Sequence, residues 1–185
     1  MHLHKVIPMG AGLGGGSSDA AFALKLLNQK YQLDISMEKL RKFALELGSD
    51  CPFFIENKPC IATGRGEELL PVNIDLSNYR LVLVYPGIHI STPWAFSEVQ
   101  ARVNHSSIDK VPSVPVTAWK EYLVNDFEEP VFREYPQIAE IKQTLYSHGA
   151  IFASMSGSGS VVYGIFDHLP LLEEAFDKSY QVFIF

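Results

Sequence analysis

The sequence predicts an α+β chain of two domains, residues 1–78 and 79–185. Three observations carry this. A glycine-dense stretch from Gly10 to Gly16 feeds directly into an apolar helical pattern. The run Arg80-Leu-Val-Leu-Val-Tyr85 reads as a buried strand and is broken by Pro86-Gly87. Near the end, Ala150–Met155 and Val161–Phe166 read as strands joined by Ser156-Gly-Ser-Gly-Ser160. Helices and strands that do not alternate regularly favour an α+β arrangement, here with strands near Leu81, Ala153, Val162 and Phe183 covered by helices on one face.

Taken in order, Met1–Ile7 alternates apolar residues and reads as the end of a strand entering the glycine loop. Ala20–Leu27 then reads as a helix. Ala20, Ala21, Leu24 and Leu27 share a face, and Phe22 and Leu26 widen it enough to predict burial. Ser36 is the N-cap of a second helix with Leu40, Phe43, Ala44 and Leu47 as its stripe and Gly48 as its stop. In Gly48-Ser-Asp50-Cys-Pro52, Asp50 reads on local grounds as a turn or capping residue. Residues 100–116, rich in Asn, Ser, His and Pro, predict a surface loop. Trp119–Val124 is a short helix, and Ile138, Ile141 and Leu145 mark a longer one ended by Gly149. Leu169–Phe176 is expected to be a last helix and Tyr180–Phe185 a last strand.

Composition narrows the function classes. The 185 residues are 47% hydrophobic, enough for a substantial core. A net charge of −6 argues against nucleic acid or an anionic membrane as the main partner. Two cysteines, Cys51 and Cys60, make neither a disulfide framework nor a metal-ligand spacing, and the six histidines, His2 and His4 among them, form no ligand set. Without a signal peptide or a long apolar run, a cytoplasmic, reducing setting is expected.

The glycine stretch admits three readings: a flexible linker, a dinucleotide fingerprint, and a nucleoside-triphosphate phosphate loop. Apolar flanks disfavour the linker. Gly10-x-Gly12-x-x-Gly15 matches the dinucleotide pattern literally, but Pro8 interrupts the preceding segment and no second strand leads to Asp34. A glycine loop leading into a helix N-terminus is a natural anion site, since backbone N–H groups and the positive helix end converge there. Ser17 and Ser18 add hydroxyls that can reach a phosphate or Mg²⁺.

The full string Ile7-Pro-Met-Gly-Ala-Gly-Leu-Gly-Gly-Gly-Ser-Ser-Asp-Ala-Ala21 resembles the phosphate-binding motif of the GHMP small-molecule kinases. Its triple glycine followed by Ser-Ser-Asp is most similar to the branch acting on 4-diphosphocytidyl-2-C-methyl-D-erythritol. Gly48–Ile55 resembles that branch's second motif, whose aspartate is the catalytic base, and Met155–Ser160 resembles its third, a glycine turn packing near the phosphate loop. Ala62–Glu67 resembles a family hairpin; Arg65 in it reads as a solvated turn residue, with a phosphate ligand as the alternative, and Asn125–Glu128 resembles a family string whose acidic residues read as structural.

This resemblance implies a GHMP kinase-like two-domain architecture, with ATP and Mg²⁺ as cofactors and a cytidine-diphosphate derivative of a sugar alcohol as acceptor. Nucleotide contacts fall on Pro8, Gly10, Gly12, Leu13, Gly14, Gly15, Gly16, Ser17 and Ser18, and the base on Asp50. Gly87–Phe96 resembles the substrate segment and places acceptor contacts on Thr92, Pro93 and Phe96; Trp94 and Phe96 remain open between core and site. Family members carry strands before the phosphate loop, with a lysine and residues that grip cytosine and adenine. Nothing here matches them, so the first N-terminal strands are expected to be missing and activity of these residues alone to be slight. An inactive nucleotide-binding fragment, or another GHMP kinase such as a homoserine kinase, stand as alternatives.

Overall fold

The computed structural model describes residues 2–99 and 108–185. Its chain forms two compact units: Gly14–Ile74, and Met1–Leu13 together with Asp75–Phe185. The sequence places the division after residue 78 and groups the first residues with the earlier domain. In the structure the residues before Gly14 are held by the later unit, where Val161 N donates to the Ala11 carbonyl at 3.1 Å.

The Gly14–Ile74 unit packs three helices and a hairpin. Helix α1 spans Gly15–Lys30, α2 Met37–Leu47 and α3 Cys51–Glu56. The Ser36 hydroxyl accepts from Lys39 N, the expected N-cap of α2. Asn28 fixes the α1–α2 connection by accepting from Ile35 N and donating to Ile35 O, both at 3.0 Å. Ala21, Leu40, Ala44, Cys51 and Ile55 form the core of the unit. Strands β1 (Cys60–Thr63) and β2 (Glu68–Pro71) make the antiparallel hairpin the sequence suggested, Thr63 facing Glu68.

The later unit is built on a four-stranded antiparallel sheet. Its strands are β3 (Arg80–Tyr85), β4 (Phe152–Met155), β5 (Val162–Phe166) and β6 (Gln181–Ile184), in the order β4-β5-β3-β6. Val82 and Val84 stand beside Ala153, Met155, Val162 and Phe166 on one face, and Ile138, Ile141 and Leu145 of a covering helix complete that core. Helices α4 (Thr92–Glu98), α5 (Glu128–Glu134) and α6 (Pro136–Ser147) supply the cover. Side chains alternate faces along a strand, so Phe152 and Ser154 point the other way. There Trp119 meets Phe152 edge-on at 5.9 Å, so the second face is covered beside β4 as well.

Several local expectations change. Residues 2–7 form no strand and pair with no strand among the described residues. Helix α1 is longer than read and far less buried: only Ala21 is buried, while Phe22, Leu26 and Leu27 are 46%, 50% and 44% exposed. Periodicity shows that a face is apolar, not that something covers it. Residues 169–176 form turns instead of a helix. Pro170 disfavours a helical Leu169, Glu174 sits at φ +64°, and so short a segment cannot offset the cost of helix nucleation. Leu172 and Phe176 instead pack on the core. The short helix expected at Trp119–Val124 is a 3₁₀ turn at Val116–Glu121, starting directly after Pro115. Of the loop read over 100–116, residues 100–107 lie outside the described residues, and Ile108–Ser113 is a 3₁₀ turn.

No helix among the described residues is long and apolar enough to cross a membrane.

Candidate functional site

The glycine run is shaped by one close approach. Gly12 has φ +81°, and a Cβ there would lie 1.9 Å from the Ser156 carbonyl oxygen and 3.0 Å from Gly159 N and O. Only glycine fits both the backbone conformation and the space. The Ser156 hydroxyl donates to the Gly12 carbonyl at 2.8 Å. The turn from Ser156 to Ser160 is thus more than a tight hairpin: it seats residues 11 and 12 of the loop, as the resemblance implied. On the same unit the His89 ring lies against Gly10, where a Cβ would come within 2.8 Å of its Nδ1.

The run continues into α1. Gly14 is the N-cap with φ +64°, and the first bond of the helix is from Ser18 N to the Gly14 carbonyl at 2.9 Å. Gly15, Gly16, Ser17 and Ser18 therefore form the helix's opening turn, and no acidic residue lies in that turn. A helix start carries partial positive charge, and here no carboxylate of the first turn competes for it.

Within the same unit, Asp50 precedes α3 at its N-cap position but makes no side-chain cap hydrogen bond. Asp50 thus stands in the turn that the local reading gave it, at the cap position but without a capping hydrogen bond. Asp50 is exposed, and its Oδ1 lies 3.7 Å from where a Cβ of Gly66, on the hairpin turn, would sit. Phe54, one helical turn on, packs its ring against Gly14 and ties α3 to the start of α1. Arg65 is an exposed turn residue, as read; its backbone N–H donates to the Glu67 carboxylate. That carboxylate is held below its usual range by the Glu67 N–H first and the Arg65 N–H next.

In the later unit the segment after β3 forms α4, capped by the Ser91 hydroxyl, which accepts from Trp94 N at 3.5 Å. The structure separates the two aromatics that sequence left open. Trp94 packs on the core and meets Tyr135 edge-on at 5.9 Å. Phe96 is 64% exposed and meets Phe127 edge-on at 4.9 Å, leaving ring surface open to solvent. Thr92 and Pro93 are exposed at the start of the helix, and Thr92 Oγ1 lies 3.5 Å from Ser158 Oγ of the glycine turn.

Residues 125–128 do more than the sequence revealed. The Glu128 carboxylate accepts from Met155 N and Ser154 Oγ and pairs with Lys142 at 2.6 Å, joining α5, β4 and α6. The Asn125 side chain bonds Met155 O and Gly157 O, both at 2.8 Å. The family-like string was the only signal for these contacts, since their partners lie 14 to 32 residues on. An open cleft of about 310 Å³ lies beside them, lined in part by Asn125, Phe127, Met155 and Tyr163. Desolvation first, then Glu128 and Tyr146, push the Tyr163 phenol up to about 12.

Among the described residues no group of three or more His, Cys, Asp or Glu could hold a metal ion.

The GHMP kinases N terminal domain family matches residues 1–58, and the GHMP kinases C terminal family matches residues 116–182. The chain is 53% identical over 166 residues to a 4-diphosphocytidyl-2-C-methyl-D-erythritol kinase of Bacteroides fragilis (strain YCH46), covering 90% of this chain and 61% of that protein. It is 48% identical over 185 residues to the kinase of the same name from Bacteroides thetaiotaomicron, covering 100% of this chain and 67% of the relative. A crystal structure of 4-(cytidine 5'-diphospho)-2C-methyl-D-erythritol kinase superposes with a TM-score of 0.74 at 32% identity, over 88% of this chain and 59% of that one. A homoserine kinase from Cytophaga hutchinsonii gives 0.72 at 15% identity over 97% of this chain and 67% of its own, a likeness of fold alone. The chain spans about three fifths of the length of the first curated relatives it matches.

Proposed function

The chain belongs to the 4-diphosphocytidyl-2-C-methyl-D-erythritol kinases, within the GHMP kinases, and on that premise we propose that it serves ATP-dependent phosphorylation of the 2-hydroxyl of 4-diphosphocytidyl-2-C-methyl-D-erythritol in non-mevalonate isoprenoid biosynthesis. One observation supports this most: the loop at Gly12 is locked against the Ser156–Gly159 turn and runs into a helix start free of first-turn carboxylates.

In this reading Pro8, Gly10, Gly12 and Leu13 shape the loop, and the backbone N–H groups from Gly12 to Ser18 bind and orient the ATP phosphates. The Ser17 and Ser18 hydroxyls would help hold Mg²⁺, which would supply charge neutralisation on the triphosphate. Asp50 accepts the proton of the acceptor hydroxyl as that oxygen bonds to the γ-phosphorus; the bond from the γ-phosphorus to the bridging oxygen breaks and ADP leaves. Little covalent work falls to the protein, so positioning and charge stabilisation carry the rate. Thr92 and Pro93 flank the acceptor, and the exposed Phe96 ring offers a surface on which a cytosine can stack.

The test is a coupled ADP-release assay with MgATP and either the cytidine acceptor or homoserine, alongside calorimetry with a non-hydrolysable ATP analogue. Analogue binding and ADP release that requires the cytidine acceptor and disappears in Asp50→Asn are the expected results, with slow turnover by these residues alone. Release driven by homoserine instead would overturn the acceptor. Binding without any turnover would leave these 185 residues a nucleotide-binding fragment.

A further inference from the structure

We propose that Asn125 is a positioning residue that holds the seat of the phosphate loop and the exposed acceptor aromatic, Phe96, in one register. The inference rests on the kinase reading above. Asn125 Nδ2 donates to Met155 O and Gly157 O, and its Oδ1 accepts from Phe127 N at 3.0 Å. The amide orientation is forced, because two carbonyls face one end and an N–H faces the other.

Between those two carbonyls sits Ser156, whose hydroxyl bonds Gly12 O and whose own carbonyl excludes any Cβ at Gly12. On the other side Phe127 backs the Phe96 ring. One side chain thus sets both the turn that seats the loop and the ring behind the acceptor face. Strand β4 does not need it as an anchor, since Glu128 already holds Met155 N and Ser154. The bond to Gly157 O lies beyond the strand end and acts on the turn.

The chemistry ranks two variants. Asn125→Ala removes the donors. Asn125→Asp keeps the shape but turns a carboxylate oxygen toward two carbonyl oxygens, so it should be at least as damaging. If Asn125 only fills space, the Asp variant should resemble wild type.

The experiment uses the whole chain and two readouts. Hydrogen exchange follows the amides of Gly159 and Val161, which donate to Ser156 O and Ala11 O; calorimetry follows the non-hydrolysable ATP analogue with Mg²⁺. Leu145→Ala, a core cavity far along α6 in sequence, controls for general destabilisation. In both Asn125 variants the two amides should exchange faster while β3 amides hold, and analogue affinity should fall on the order of tenfold, the scale of one or two lost hydrogen bonds. Leu145→Ala should lower the melting temperature and leave affinity unchanged. Unchanged affinity, unchanged exchange at Gly159 and Val161, or a wild-type-like Asp variant overturns the role, as does equal loss in Leu145→Ala. A wild-type chain that binds no analogue counts against the kinase reading, and the exchange readout still decides whether the clamp exists.

Discussion

Gly16 offers a sharp test of the proposed phosphate loop, because nothing in the fold explains a glycine there. It is exposed, it is not among the glycines of positive φ, and a Cβ at this position meets no atom within 4 Å. Gly16→Ala should therefore be tolerated or stabilising. Alanine exceeds glycine by about 1 kcal/mol in a helix interior and by less in the first turn. For a chain of this size that gain corresponds to roughly 2–4 °C at most. A bound phosphate changes the sign of the effect. A methyl group at the approach to the loop would push the phosphate off at least one backbone donor, and a hydrogen bond to a charged group is worth about 1.5–3 kcal/mol. Converted to affinity, that is a rise in Kd of about 10- to 150-fold. Thermal melting and calorimetry with the ATP analogue measure the two effects separately. A variant that is more stable and binds the analogue as wild type does would show that phosphate does not approach this residue. A variant that is markedly less stable would show that the glycine serves packing.

Two further outcomes follow from the site and the core. Asp50→Asn should lower kcat by a factor on the order of 10² or more while leaving nucleotide affinity nearly unchanged, because a general base acts on the acceptor proton; near-normal turnover would remove Asp50 from the chemistry. The Tyr163 phenol, pushed up to about 12 against an ordinary value near 10, stays protonated when folded at pH values where the unfolded chain ionises. Its share of stability is intact below pH 10 and is lost as pH rises toward 12, by at most roughly 2–3 kcal/mol. Urea melts across that window should therefore show wild type losing stability relative to Tyr163→Phe, which has no phenol to ionise, and parallel curves would refute the account.

Much of the fold was legible because its signals are local. The strand at Arg80–Tyr85, the Ser36 cap and the glycine turn at 156–160 each announce themselves within a few residues. Where the reading missed, the deciding partner was remote or absent. Phe22 and Leu26 have the spacing of a core face, yet both stand exposed, since amphipathic spacing cannot report what lies opposite. Residues 169–176 carry apolar residues at helical intervals, but Leu172 and Phe176 reach the core from turns.

The candidate site divides the same way. Its glycines and Asp50 stood out by motif, whereas Trp94 and Phe96, two residues apart on one short helix, could not be told apart by composition. On a helix that spacing turns side chains by about 200°, so one ring must face nearly opposite to the other. Ala95 and Trp94 take the core side, and Phe96 is left facing solvent with Phe127 at its edge. That edge contact, like the Asn125 bonds to Met155 and Gly157, joins residues about thirty positions apart, a distance over which no helical or strand period runs. A motif read in one dimension can name the groups that meet a ligand. The groups that hold them in place are chosen by tertiary proximity, and a polar side chain between two strings of glycine and serine looks like any loop asparagine until the carbonyls it serves are seen.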